Sequence, residues 1–382
     1  MTDRQNYKQI IESIFGVHTE SFNPGSSLTN NVIGALNNGD YKKFSNAFTE
    51  RLKRLNQIYS AQDKDRKNLL VQVNAIATNT WEGAYSELVA FDFLNRDKKY
   101  TPDPISLNKD IDPNRTFAVE LGQTGSANLD GWFSEYDVYF DVKSLKDNVR
   151  EMLLGICNEI RKQLKRDDIA IIPDYPLTLS YRNIQDKRDL LLKEFETKID
   201  QVKKTPFIQS QVINNLKYRI VWGKGIAVTM QVHNMHQLAE QYHRIVFLHA
   251  KKFVKGRPFF LVFVVFPWFN GIITDFLDSN KKFYRAFARR VFCQYISTKT
   301  LFKELCPNFS GNQTIFDLTK KLSGLIFLED KCIEERENES ENVSSFIYLN
   351  PNADNKITAS VFAEYIRRLT RSDFDDFIYD NY

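Results

Sequence analysis

The sequence predicts a mixed α/β protein: a central mixed sheet flanked by helices, with a helical segment before it and an α+β extension after it. Three observations carry this. The Phe- and Val-rich run Phe259–Phe266, closed off by Pro258 and Pro267, has the texture of a buried strand. A helical stretch at about 234–254 leads straight into it, and such a helix-to-strand return is typical of α/β layering. Upstream, Tyr136–Ser144 reads as a strand with one apolar face and is followed at once by a capped helix.

Taken in order, residues 1–75 read as a helical accessory segment around a polar loop at 18–31, whose Asn, Pro, Gly and Ser content marks a break. The core is expected over 76–300, with an insertion at about 166–230, and the α+β extension over 301–382. A helix at about 81–95 opens the core, followed by a loop rich in Asp and Pro and β-like pieces at 116–122 and 136–144. Asp147 caps the next helix, in which Val149, Met152, Leu153, Ile156, Ile160 and Leu164 form one apolar stripe that should lie on a sheet. The insertion contains strand-like segments at 167–181 and 218–231 around a charged helix near 186–204. The extension adds helices, strands at 324–330 and 344–350, and an acidic run at 334–342 that reads as a solvated loop.

At 382 residues the chain exceeds the common single-domain size, so one elaborated domain or two is expected. Its 42% hydrophobic and 13% aromatic content excludes a disordered class. A net charge of +4 permits a polyanionic partner without requiring one, so any nucleic-acid surface must be local. Cys157, Cys293, Cys306 and Cys332 are widely spread with no CxxC pairing, which points away from a zinc cluster or disulfide framework and toward a reducing cytoplasm. The first residues are too polar for a secretory signal, and no apolar run reaches the roughly 18 residues that span a bilayer, so a soluble protein without membrane association is expected.

Alternation puts Val138, Phe140 and Val142 on one face of the 136–144 strand and Tyr139, Asp141 and Lys143 on the other. If the chain reverses around Glu135 and Tyr136, an antiparallel register sets Asp130 opposite Asp141. Like charges directly across a strand pair are destabilising unless something offsets them, and a divalent cation would do so. Magnesium favours one or two carboxylates plus waters and phosphate oxygens. Lys143 adds a positive charge that could orient an attacking water or offset charge on a phosphorane-like transition state. Glu87 supplies a third carboxylate, lying within the apolar stripe of Ala84, Leu88, Phe91 and Leu94, where it is costly unless paired or metal-bound. An Arg or Lys partner is the plainer explanation for such a glutamate.

These residues resemble the PD-(D/E)xK nuclease superfamily, the fold of many restriction endonucleases and DNA-repair nucleases. In that resemblance Asp130 corresponds to the first acid, Asp141 to the second, Lys143 to the lysine and Glu87 to the acid on the preceding helix, and it covers roughly residues 80–270. The family's proline before the first acid is Leu129 here, and Glu120 is a rival first acid. The resemblance implies a restriction-endonuclease-like fold and metal-dependent endonucleolytic hydrolysis of DNA leaving 5′-phosphate ends. Asp130, Asp141 and the carbonyl of Val142 would hold magnesium, or manganese in its place, with Glu87 completing the shell and Lys143 assisting the water. A type II restriction or antiviral defence nuclease is the natural setting by analogy. The competing readings are a non-catalytic nucleic-acid-binding or scaffold subunit and an RNA-directed nuclease.

Other features carry weaker expectations. His236, Glu240 and His243 recur at helical spacing, as a hydrated face or a metal or phosphate site would. Lys281, Lys282, Arg285 and Arg289 line one side of a helix whose other side holds Phe283, Phe287 and Val291, and this is where a nucleic-acid contact is sought. Trp132 and Phe133 are either core residues or base-stacking platforms. No GxxxxGK[ST], GxGxxG or GxSxG motif is present, so the nuclease would be ATP-independent in this chain, compatible with a homodimer or an ATP-driven partner protein.

Overall fold

The longest apolar and β-branched runs form the central strands, Val138–Ser144, Phe259–Val265 and Gly324–Asp330. The strands are β1 (Ser106–Ile111), β2 (Ala127–Phe133), β3 (Val138–Ser144), β4 (Ile169–Asp174), β5 (Phe207–Gln209), β6 (Lys217–Trp222), β7 (Phe259–Val265), β8 (Gly324–Asp330) and β9 (Val343–Leu349). The computed structural model describes residues 3–17, 30–37, 42–97, 99–122, 125–165, 169–175, 179–198, 201, 205–222, 234–266, 279–305, 309–331, 343–357 and 361–369. Most of the polar loop at 18–31, the acidic run at 334–342 and residues 223–231 lie outside them.

The chain divides into two compact units. The first comprises Met1–Leu145, Tyr242–Gly271 and Asp275–Tyr382, and it holds a six-stranded mixed sheet ordered β1-β2-β3-β7-β8-β9. β3, β7 and β8 run parallel to one another, while β1, β2 and β9 join antiparallel. The central strand β7 is buried along its whole length, as expected of a parallel strand covered on both faces.

One face of this sheet, carrying Val138, Phe140, Val142, Phe260, Val262 and Val264, shares a core with α1 (Asp3–Phe15), α2 (Asn31–Asn37), α3 (Lys42–Tyr59), α4 (Asp63–Ala75) and α5 (Trp81–Leu94). α5 is apolar nearly all round because it is buried nearly all round. A buried ionic cluster ties these helices to the sheet: Arg51 donates to Tyr85 Oη at 2.8 Å and lies 3.3 Å from Asp330 Oδ2 at the end of β8. The Tyr85 hydroxyl donates to the same Asp330 oxygen at 2.7 Å. The other face is covered by the helix Ser279–Cys293, through Phe287 on Phe263 and Tyr284 stacked on Phe327 at 4.5 Å.

The second unit, chiefly Lys146–Gln241, has its own core. Asp147 accepts from the backbone N–H of Arg150 at 2.9 Å and caps the helix Asn148–Leu164. Its buried Val149, Leu153, Ile156 and Ile160 share a core with the antiparallel sheet β4-β6-β5, the sheet contact the stripe predicts.

Three local expectations are corrected. Residues 116–122 are not a strand: Asp112 caps the short 3-10 turn Pro113–Arg115, and the Thr116 hydroxyl donates to the Pro113 carbonyl at 3.1 Å, so the backbone is satisfied locally. The Asp- and Pro-rich loop instead contains β1, an edge strand with only Leu107 and Ile111 buried, whose apolar signal is correspondingly weak. The single helix expected at 234–254 is an α-helix, Met235–Tyr242, continued by a 3-10 helix, His243–Lys252. At 10 residues the latter is far longer than the usual 3-10 turn of roughly 3–4.

Among the described residues, no helix is long and apolar enough to cross a membrane. Cys157 and Cys293 are free thiols.

Candidate active site

The β2–β3 hairpin turns at 134–137 and pairs Gly131 with Phe140, Trp132 with Tyr139 and Phe133 with Val138. Continued one step, that register carries Asp130 toward Asp141, and the two carboxyls interact directly. Gly131 is required here, because a Cβ at that position would run into the Phe140 ring. Asp130 is 7% exposed and Asp141 0%. Two buried acids this close repel unless one is protonated or cations stand beside them. Both devices are present.

Lys143 Nζ lies 2.7 Å from Asp141 Oδ2 and 3.5 Å from Asp130 Oδ2, and it donates to the Val142 carbonyl at 2.6 Å. Asp130 Oδ2 also accepts from the backbone N–H of Val142 at 2.6 Å, which locks the first acid to the strand of the second. Lys252 Nζ, from the end of the 3-10 helix, donates to Asp141 Oδ1 at 2.6 Å. The sequence reading missed this second lysine.

Its signal was present but written in a different period. Side chains three apart eclipse in a 3-10 helix, so His243, Val246, His249 and Lys252 fall in one line. α-Helical spacing instead groups His243 with His236 and Glu240. His243 is fully buried, not hydrated, with its Nε2 2.8 Å from Tyr295 Oη.

Burial, and then repulsion from Asp141, push the Asp130 carboxyl up to about 7. Burial also acts against the Asp141 carboxylate, but Lys143 and then Lys252 outweigh it and hold the group below the usual range. Lys143 is pushed down by burial and raised further by Asp141 and Asp130, with a net rise that keeps it charged. His249 is pushed down to about 4 by burial and then by the Lys143 ammonium, so its imidazole is neutral near pH ~7. Burial and then Asp130 raise the Glu87 carboxyl well above its ordinary value. The result is that the ionised form is favoured at Asp141 and the protonated form at Glu87, while Asp130 titrates near neutrality.

Glu87 therefore belongs to the same electrostatic cluster as the hairpin acids. Its Oε2 is buried with no hydrogen-bond partner. Glu82, five residues earlier on α5, accepts from the Ser144 hydroxyl and helps to fix the end of β3 against the helix. Glu120 lies in a turn and pairs with Lys255, whereas Asp130 is the acid brought to Asp141.

The other candidates are placed elsewhere. In the helix Ser279–Cys293, Phe283, Phe287 and Val291 are buried while Lys281 and Lys282 are exposed. Arg285 and Arg289 are half-buried and already engaged in contacts. Trp132 stacks on Tyr139 with ring centroids 5.9 Å apart and donates to Asp137 Oδ1 at 3.2 Å, and Phe133 packs in the core against Phe140.

The residues fit a hard divalent cation. The Lys143 ammonium is gathered by Asp130 Oδ2, Asp141 Oδ2 and the Val142 carbonyl, the three groups expected to hold magnesium, so a positive charge already occupies the place such an ion would take. Asp141 Oδ2 is buried beside that ammonium, 2.7 Å away. Among the described residues, no group of three or more His, Cys, Asp and Glu side chains forms a metal cluster. An ion here would take its oxygens from two side chains and a backbone carbonyl.

No protein-family model, curated protein or solved structure matches the chain.

Proposed function

We propose that the chain is a metal-dependent endodeoxyribonuclease with a restriction-endonuclease-like core of the PD-(D/E)xK type, serving a restriction or antiviral defence role. One observation supports it above the rest: Asp130, Asp141 and Lys143 converge, with Lys143 Nζ within 3.5 Å of both acids and 2.6 Å of the Val142 carbonyl. A surface charge pair would not bury two acids beside each other at the end of an apolar hairpin.

Asp130, Asp141 and Val142 O would hold magnesium or manganese, with Glu87 beside them. When bound, such an ion supplies Lewis-acid stabilisation of charge on phosphoryl oxygens and an acidified water. Lys143 presents a permanent positive charge where it orients the attacking water and offsets negative charge on the phosphate. Asp130, titrating near neutrality, would give up its proton in order to hold such an ion. In the hydrolysis, water adds to phosphorus and the P–O3′ bond breaks. One water proton ends on the 3′-oxygen, leaving a 5′-phosphate.

The test is incubation of plasmid DNA with wild type and Asp141→Ala, in magnesium and in EDTA. Cutting by wild type in magnesium alone is the expected result. A second reading, a non-catalytic nucleic-acid-binding or scaffold subunit, draws on the two lysines that already neutralise Asp141. Inert binding that is equal in both proteins would favour it, and cutting of labelled RNA but not DNA would redirect the substrate.

A further inference from the structure

A cavity of about 230 Å³ is lined by residues that include Ala118, Ser126, Ala127, Asn128, Lys251 and Lys252. That is several times the ~30 Å³ that one water takes in the liquid. Lys252 joins the cavity to the second acid, since it lines the wall while its ammonium donates to Asp141 Oδ1 at 2.6 Å. An ammonium carries three N–H donors, so the bond to Asp141 leaves others to meet a ligand. Lys251, exposed and in no ion pair among the described residues, brings a second cation to the same wall. Asn128 is fixed by donating to Asp110 Oδ1 at 2.9 Å, and the small Ala118 and Ala127 side chains keep the space open.

Asn128 precedes Asp130 by two positions on β2, a displacement of roughly 6.6 Å along a strand. That is close to one nucleotide step of a nucleic-acid backbone. We propose that this cavity is a subsite for the phosphate neighbouring the one that is cut, with Lys251 and Lys252 as its cationic wall; the proposal rests on the nuclease reading above. Lys252 thereby couples the two positions: it holds the nucleotide next to the cut and positions the second acid.

The test uses the full chain as wild type, Lys251→Ala and Lys251→Arg. Binding of a short fluorescein-labelled DNA duplex is measured in EDTA over a range of salt, and cleavage of the same duplex in magnesium. Expected for Lys251→Ala are binding weaker by about fivefold near physiological salt and a salt slope lower by about 1. KM should rise in step with unchanged kcat, and Lys251→Arg should restore both. If wild type cuts and Lys251→Ala is indistinguishable from it, the subsite is overturned and the nuclease reading stands. If Lys251→Ala lowers the salt slope but nothing is cut in magnesium, the anion site is supported and the hydrolase reading fails. If wild type neither binds nor cuts, both are overturned.

Discussion

Lys252 Nζ and Asp141 Oδ1 are 2.6 Å apart, so the second acid of the hairpin is clasped on one oxygen by Lys252 and approached on the other by Lys143 at 2.7 Å. Asp141 is fully buried, and a buried carboxylate that loses one of its cations is left partly uncompensated. Lys252→Met should therefore destabilise the protein by about 1–3 kcal/mol in urea unfolding. In an Asp141→Asn background the same substitution should cost distinctly less, because the charge it serves is gone. Equal costs in both backgrounds would mean that the contact contributes no coupling.

Lys143 and a divalent cation would compete for Asp130 Oδ2, Asp141 Oδ2 and the Val142 carbonyl. Lys143→Met should consequently tighten manganese binding by about tenfold, or about 1.4 kcal/mol, while abolishing cleavage. Calorimetric titration reads the first effect and the plasmid assay the second. Unchanged or weaker manganese binding would place the cation away from this lysine.

The raised Asp130 carboxyl makes stability depend on pH with a definite sign. The unfolded carboxyl ionises near pH ~4, while the folded group holds its proton up to about 7. The native state thus binds more protons in that window. The stability contributed by this group is fully present below pH ~4 and is lost as pH rises through about 7. Metal-free wild type should lose more unfolding free energy than Asp130→Asn between about pH 5 and 8. Parallel pH profiles for the two proteins would contradict the assigned proton.

Gly131 and Phe140 make a further mutable pair, because the ring lies where a side chain at 131 would project. Gly131→Ala should cost about 1–3 kcal/mol through overpacking and should shift Asp130 relative to Asp141. Adding Phe140→Leu should recover part of the stability. A Gly131→Ala protein of wild-type stability would show that the ring moves aside freely.

The site and the fold were legible in the sequence to different depths. Strand β3, strand β7, helix α5 and the capped helix after β3 follow from alternation, apolar runs and one aspartate cap, all of which act over a few residues. The hairpin register was equally local: the chain reverses at 134–137, and pairing outward from that turn through Gly131 and Phe140 carries Asp130 toward Asp141. β1 was hidden because it buries only Leu107 and Ile111, four positions apart, so no alternation shows, and 116–122 looked like a strand because short side-chain bonds to the backbone leave no periodic trace.

What the sequence determined by itself was therefore a strand that carries Asp141 and Lys143 on one face and a hairpin that offers Asp130 to them. Only the tertiary structure decided which cation answers the remaining oxygen of Asp141, because Lys252 is 111 residues away and arrives on a helix whose period changes from α to 3-10 at His243. Tertiary structure also decided which of the two candidate acids meets Asp141, by sending Glu120 to Lys255 in a separate turn. Local periodicity reports which face a side chain takes, whereas the neutralisation of a buried charge depends on whatever packing brings within a few ångströms of it.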